Sequence, residues 1–323
     1  MYVRRLKSFS ITNAEFGSED IKVLLNGKAF VSSGLQLFGE GKKNSVGRIF
    51  LFDFKKPHEK VLKLEVLDEN SREIPLTPHG MDIWVDKKSG ITYLYVVNHY
   101  AGMESVEKFQ FLPELKLVRV KQFRDKNFIL LNGLYMINED QFYFTNSYYF
   151  NNAVEFLLGL KWGSVGFFDG AKAELVLKGL NFPNGIIKWK NFLAVGMITS
   201  EKLNLYSIGN DHFLTLNKSI DVGSGLDNLS LDPNNGDLIL GCHPSIYRVV
   251  KHSADPDAFK APSQILRLKY KEDETTELSE IYSNDGSEVS GSSVGVLYED
   301  GMLIGTIYTD MLYCKLDRNK KSF

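Results

Sequence analysis

The stretch from Gly225 to Pro244 reads GLDNLSLDPNNGDLILGCHP. It sets an adjacent acid and amide, Asp227 and Asn228, before an alternating strand, and its second strand ends in Cys242–His243–Pro244. Other fragments carry similar chemistry: Gly17–Asp20 (GSED) with Glu19 and Asp20, Phe142–Ser147 (FYFTNS) with Asn146, and Asn181–Ile186 (NFPNGI) with Asn184. Carboxylate and amide oxygens are the hard donors that calcium takes. Pro78–Gly80 and Val97–His99 add His79 and His99, residues suited to moving protons near neutral pH. Each fragment alone also has a plainer reading. Asp-Asn and Asn-Gly pairs ordinarily make turns, and a histidine often only shapes a wall. The chain has no H-E-x-x-H, C-x-x-C or P-loop.

Residues from such distant fragments can meet only if strands bring them together. Short strand-like runs recur throughout, among them Gly47–Phe54, Thr92–Val97, Glu107–Leu112, Leu115–Phe123, Gln141–Thr145, Lys202–Ile208, Ile265–Tyr270 and Met311–Leu316. Most are bounded by Gly, Asn, Asp or Pro, and Asn235–Gly236, Asp300–Gly301 and Ser89–Gly90 are hairpin signals. Helical periodicity is scarce, with a turn or two expected in Tyr148–Leu160 and in the polar stretch Ser253–Phe259. Many short strands point to a sandwich, barrel or propeller. Six blades of roughly 50 residues account best for this length. No linker or composition break appears, so one domain over residues 1–323 is expected, with 1–16 leading in and 317–323 a basic tail.

The chain has 323 residues and a formal net charge of -2, which gives no reason to expect a nucleic acid or an anionic membrane as partner. Aromatics make up 12%, favouring strands. No run of 18 apolar residues exists, and the basic start at Met1–Lys7 has no apolar stretch after it. A cytoplasmic, soluble chain is expected as it stands, and an extracellular one if an upstream segment belongs to it. Cys242 and Cys314 are expected to be buried thiols or one disulfide.

In their order and spacing these fragments, with Gly291–Val294, Leu303–Thr306 and Leu312–Lys315, resemble the serum paraoxonase/arylesterase family from about Gly17 to Leu316. The resemblance implies an all-β, six-bladed β-propeller with calcium in its central tunnel, hydrolysing lactones and aryl esters. It places Glu19, Asn146, Asn184, Asp227 and Asn228 on the catalytic calcium, and His79 and His99 as a water-activating pair. It places Leu35, Phe182, His243, Ile307 and Tyr308 around the substrate. A second, structural calcium would take Asp20, the Met81 carbonyl and the position of Ser147. The family has a carboxylate there; a hydroxyl is a weaker donor, so that site is expected to be weak or empty. The family disulfide would join Cys314 to position 8, which here is Ser8, so the bridge cannot form. With the N-terminal apolar segment also missing, membrane or lipoprotein association is not carried over. Some relatives are non-catalytic and assist the assembly of a membrane partner, which is the alternative function. A regucalcin-type sugar lactonase is disfavoured by the Asp-Asn pair, the Cys-His-Pro strand end and the Leu-Tyr-Cys segment.

Overall fold

A computed structural model describes residues 4–11, 17–35, 47–148 and 158–317. Six antiparallel sheets stand around one axis. The first is β2 (Ile21–Val23), β3 (Lys28–Ser33), β4 (Arg48–Asp53) and β5 (Leu62–Lys63). The second is β7 (Pro78–Val85), β8 (Thr92–Asn98), β9 (Ser105–Leu112) and β10 (Lys116–Phe123), with the short β6 (Glu65–Leu67) added parallel to β10. The third comprises β11 (Leu131–Met136), β12 (Phe142–Asn146), β13 (Gly163–Phe168) and β14 (Ala173–Leu180). The fourth comprises β15 (Pro183–Trp189), β16 (Phe192–Met197), β17 (Lys202–Ile208) and β18 (Leu214–Asp221). The fifth is β19 (Gly225–Leu231), β20 (Leu238–His243), β21 (Ser263–Tyr270) and β22 (Thr276–Asn284). The sixth runs β23 (Ser292–Tyr298), β24 (Gly301–Thr306) and β25 (Met311–Asp317), and is completed by the N-terminal β1 (Arg4–Ile11). This is an all-β six-bladed propeller.

The core follows from the strand pattern. Alternating apolar residues of each sheet point into the clefts on either side. Six separate apolar clusters result among the described residues, one in each cleft. The Phe123–Phe128–Phe142–Phe168 cluster between the second and third sheets is typical. The innermost strands β2, β7, β11, β15, β19 and β23 touch one another in a closed ring and line the axis.

Five of those six innermost strands, all but β2, share a local irregularity. The pairing register slips between Pro78 and Met81, Leu131 and Leu134, Pro183 and Ile186, Leu226 and Leu229, and Ser292 and Val294. A bulge at this height re-aims side chains toward the axis. The residues in the bulges are His79–Gly80, Asn132–Gly133, Asn184–Gly185, Asp227–Asn228 and Ser293. The glycines let neighbouring innermost strands approach. A Cβ on Gly80 would lie 2.1 Å from the Asn132 carbonyl oxygen, and one on Gly185 2.5 Å from that of Asp227. Backbone cannot swing aside as a side chain can. Gly80→Ala is therefore expected to destabilise the fold by about 2 kcal/mol or more, read as a lowered Tm in a thermal melt.

Ring closure places Ser8 opposite Cys314 in the β1–β25 ladder. Cα atoms so paired are about 4.5–5.5 Å apart, within the span of a disulfide. Both cysteines are buried thiols. Ser8→Cys is expected to oxidise onto Cys314 and raise Tm, with a ceiling of about 5 kcal/mol from closing so long a loop. Loss of the added stability in reductant is the check.

The helix expected in Ser253–Phe259 lies earlier. It is α1 (Ile246–Ala254), started by the Ser245 side chain accepting from the Arg248 N–H and ended before Pro256. Cap chemistry and the Val249–Val250 pair outweigh the polar composition that suggested the later position. Most of the Tyr148–Leu160 expectation falls on 149–157, outside the described residues. Among the described residues no helix is long and apolar enough to cross a membrane.

Candidate active site at the tunnel mouth

The bulges deliver their polar residues to one end of the axis, where a cavity of about 180 Å³ opens. Its floor is Glu19, His79, Asn132, Ser147, Asn184, Asp227 and His243. Its wall is apolar: Leu130, Tyr148, Phe182, Ile198 and Ile307, with Val249, Val250 and Ala254 from α1. Of the expected pocket residues, Phe182, His243 and Ile307 line it, whereas Leu35 and Tyr308 are not among the lining residues. Leu35 is buried, and Tyr308 packs edge-on against His252 at 5.8 Å.

The floor holds acceptors without donors. Glu19 Oε2, Asn132 Oδ1, Asn184 Oδ1 and Asp227 Oδ1 are buried and accept no hydrogen bond. Buried polar atoms are nearly always paired, so four such oxygens facing one cavity are a place for a positive charge. Burial, followed by the Asp227 and Asp20 charges, holds the Glu19 carboxyl well above its ordinary value. Burial likewise raises Asp227, opposed by the hydrogen bond from His243 Nε2 at 2.7 Å. Both carboxyls would be ionised most easily with a cation between them. Among the described residues no three His, Cys, Asp or Glu side chains gather as a metal site by themselves. A cation here would lean on amide oxygens, and oxygen-only ligation suits a hard ion.

Asn146 and Asn228 stand behind this floor. Asn146 Oδ1 accepts from the Ile129 N–H at 3.2 Å, and its amide donates to the Asn127 carbonyl at 3.0 Å. The Asn228 amide donates to the Glu19 carbonyl at 3.0 Å and to Oε1 at 2.6 Å, tying β19 to the residue before β2. The second expected ligand set behaves differently. Asp20 Oδ1 accepts from the Ile21 N–H at 2.8 Å, and Oδ2 from the Met81 N–H at 2.7 Å. Ser147 Oγ accepts from Asn132 at 2.9 Å and donates to the Pro183 carbonyl at 3.1 Å. Unlike the unserved oxygens of the floor, those of Asp20 and Ser147 already have hydrogen-bond partners.

The histidines form a chain that leaves the floor. His79 Nε2 lies 3.6 Å from Glu19 Oε1, and His79 Nδ1 is 2.9 Å from His99 Nε2. His99 Nδ1 meets Glu104 Oε1 at 2.7 Å, and Glu104 Oε2 accepts from the Leu131 N–H at 2.8 Å. Burial and the neighbouring His99 push His79 well below the usual histidine range. The neutral ring is thereby favoured, and the Glu104 carboxylate stands two links behind it. Glu104 and Asn132 were not anticipated from the sequence. The one available signal was Asn132–Gly133, which repeats the Asn184–Gly185 pattern.

An Arylesterase family model matches residues 2–316. The chain belongs to the arylesterase family. It is 34% identical to serum paraoxonase/lactonase 3 of Rattus norvegicus over 95% of this chain and 88% of the relative. It is 33% identical to serum paraoxonase/arylesterase 1 of Homo sapiens over the same shares. Among solved structures, a gluconolactonase from Xanthomonas campestris superposes with TM-score 0.57 at 12% identity, covering 98% of this chain and 95% of the other. A PQQ-bound aldose sugar dehydrogenase from Streptomyces coelicolor does so with TM-score 0.58 at 11% identity, over 98% of each. The two carry different chemistries, so this likeness speaks for the propeller alone. The arylesterase family supports a hydrolase.

Proposed function

We propose that this arylesterase-family chain is a calcium-dependent hydrolase of lactones and aryl esters. The observation that carries the reading is the set of unserved buried oxygens of Glu19, Asn184 and Asp227, under an apolar wall and beside a neutral histidine. Glu19, Asn184 and Asp227 would hold the ion, with Asn146 and Asn228 supporting them from behind. Bound there, calcium supplies Lewis acidity toward the substrate carbonyl and compensates the charge that develops on its oxygen.

The chain's own residues do the rest. Phe182, Ile198 and Ile307 seat the apolar part of the substrate and exclude water from it. His79 accepts a proton from the attacking water at its free nitrogen, and His99 and Glu104 hold the ring and favour the positive charge it acquires. His243, fixed on Asp227, stands at the same mouth. A lactone suits this geometry because the leaving alkoxide stays tethered to the acyl group. An apolar wall discriminates weakly between substrates of similar size, which agrees with action on both lactones and aryl esters.

The test is turnover of an aliphatic lactone and of phenyl acetate with calcium, after EGTA, and in Asn228→Ala. Activity lost in both controls is expected. A folded, calcium-loaded protein that turns over neither substrate would leave the non-catalytic assembly role in its place.

A further inference from the structure

Two neighbouring carboxylates, Glu19 and Asp20, face the axis at successive depths and have opposite surroundings. Glu19 keeps an unserved oxygen in the upper cavity. Asp20, 1% exposed, receives two backbone N–H groups and, at 3.2 Å from Oδ2, the ammonium of Lys22. Lys22 reaches this carboxylate from a second cavity at the opposite end of the axis. Residues of all six innermost strands line that cavity, among them Lys22, Asp82, Tyr135 and Ser230. Asp20, Asp82 and Glu19, in that order, are the negative charges acting on the ammonium.

We infer that Lys22 is the resident cation of the lower axial site, standing where a second divalent ion would otherwise bind, so that the chain takes one metal ion and not two. Three observations meet here. The lower carboxylate already accepts the Ile21 N–H on Oδ1 and the Met81 N–H on Oδ2, and the Lys22 ammonium lies 3.2 Å from Oδ2. The remaining candidate donor, Ser147, is a neutral hydroxyl committed to Asn132 and Pro183. An ammonium on Asp20 Oδ2 repels any cation approaching the same oxygen. The inference deepens the calcium reading above and rests on it: the divalent ion would serve Glu19 and Asp227 in the upper cavity, and the ammonium serves Asp20 below. Asp20 Oδ2 also accepts the Met81 N–H, which ties the residue before β2 to β7, the strand that carries His79.

The test is the calcium content of the full chain after equilibrium dialysis, measured by elemental analysis, with Tm recorded with and without EGTA. One ion per chain is expected for the wild type and for Lys22→Arg. Lys22→Gln/Ser147→Asp, which removes the ammonium and supplies a carboxylate, is expected to bind one ion more and to gain a second, calcium-dependent rise in Tm. Two ions in the wild type would overturn the inference, whether or not the double variant folds. A folded double variant that binds no more than the wild type would overturn it as well. No ion in the wild type would refute the calcium reading instead; the Lys22 assignment would then stand if the double variant gains one ion and fall if it gains none.

Discussion

Glu19→Gln is expected to remove hydrolysis by roughly 10³-fold or more, weaken calcium binding, and yet stabilise the calcium-free fold. Glu19 is 2% exposed, and its carboxyl is held well above the ordinary value, first by burial and then by Asp227 and Asp20. The unfolded chain gives up this proton at lower pH than the folded one. Between those two values the folded state binds more protons, so stability falls as pH rises through the window. Glutamine has the same shape and no charge to desolvate, and its amide carbonyl can still accept from Asn228. In EGTA, the Tm of Glu19→Gln is thus expected to exceed that of the wild type, by a margin that grows from acid to neutral pH. With excess calcium the order reverses, because only the wild type gains binding energy from the ion. Thermal melts across pH, with and without calcium, test both halves. A variant less stable than the wild type in EGTA at neutral pH would mean that Glu19 serves the fold and not the ion.

The outer strands were legible in the sequence for a simple reason. They have one apolar face in a cleft and alternate accordingly; Lys202–Ile208 and Thr92–Val97 match β17 and β8 nearly end to end. The innermost strands β7, β11 and β15 were not legible as strands. PHGMDIWV, LNGLYM and PNGIIKW each carry a polar residue and a glycine where alternation should hold an apolar one. The bulge that aims the polar side chain at the axis, and the close approach that demands glycine, erase the period-2 signal. Such pairs then read as turns, which hid β7, β11 and β15 while exposing His79 and Asn184 as candidates.

The site shows the same division. Residues sitting in the bulges, such as Asn184 and Asp227, stood out as polar fragments in the sequence and took their expected role from the family resemblance. Lys22 and Glu104 were missed because their neighbours in sequence are unremarkable. Each acts at the end of a long side chain that crosses to another strand, and only the fold states where that end arrives. The apolar wall from α1 was missed for a related reason: Val249 and Val250 look like ordinary buried positions until the helix is seen over the cavity mouth.

Glu104→Gln is expected to lower kcat by about tenfold or more with KM little changed, and His79→Gln by roughly 10²- to 10⁴-fold. Glu104 touches neither cavity nor floor. Its Oε1 holds His99 Nδ1 at 2.7 Å while Oε2 is pinned by the Leu131 N–H, so the carboxylate fixes both the ring and the tautomer of His99. With Nδ1–H given to Glu104, His99 Nε2 faces His79 Nδ1 as an acceptor, and His79 presents its other nitrogen toward the floor for the proton of water. Glutamine can accept the same Nδ1–H, although its amide nitrogen then faces the Leu131 N–H and lowers Tm somewhat, and it carries no charge to match the imidazolium formed as the proton moves. The loss therefore falls on the chemical step and not on binding. A merely structural Glu104 would raise KM as well as lower Tm; a relay lowers kcat at an unchanged KM. Calcium content is expected to stay at the wild-type value in Glu104→Gln, since no unserved oxygen of the floor is altered, and this separates the proton path from the ion.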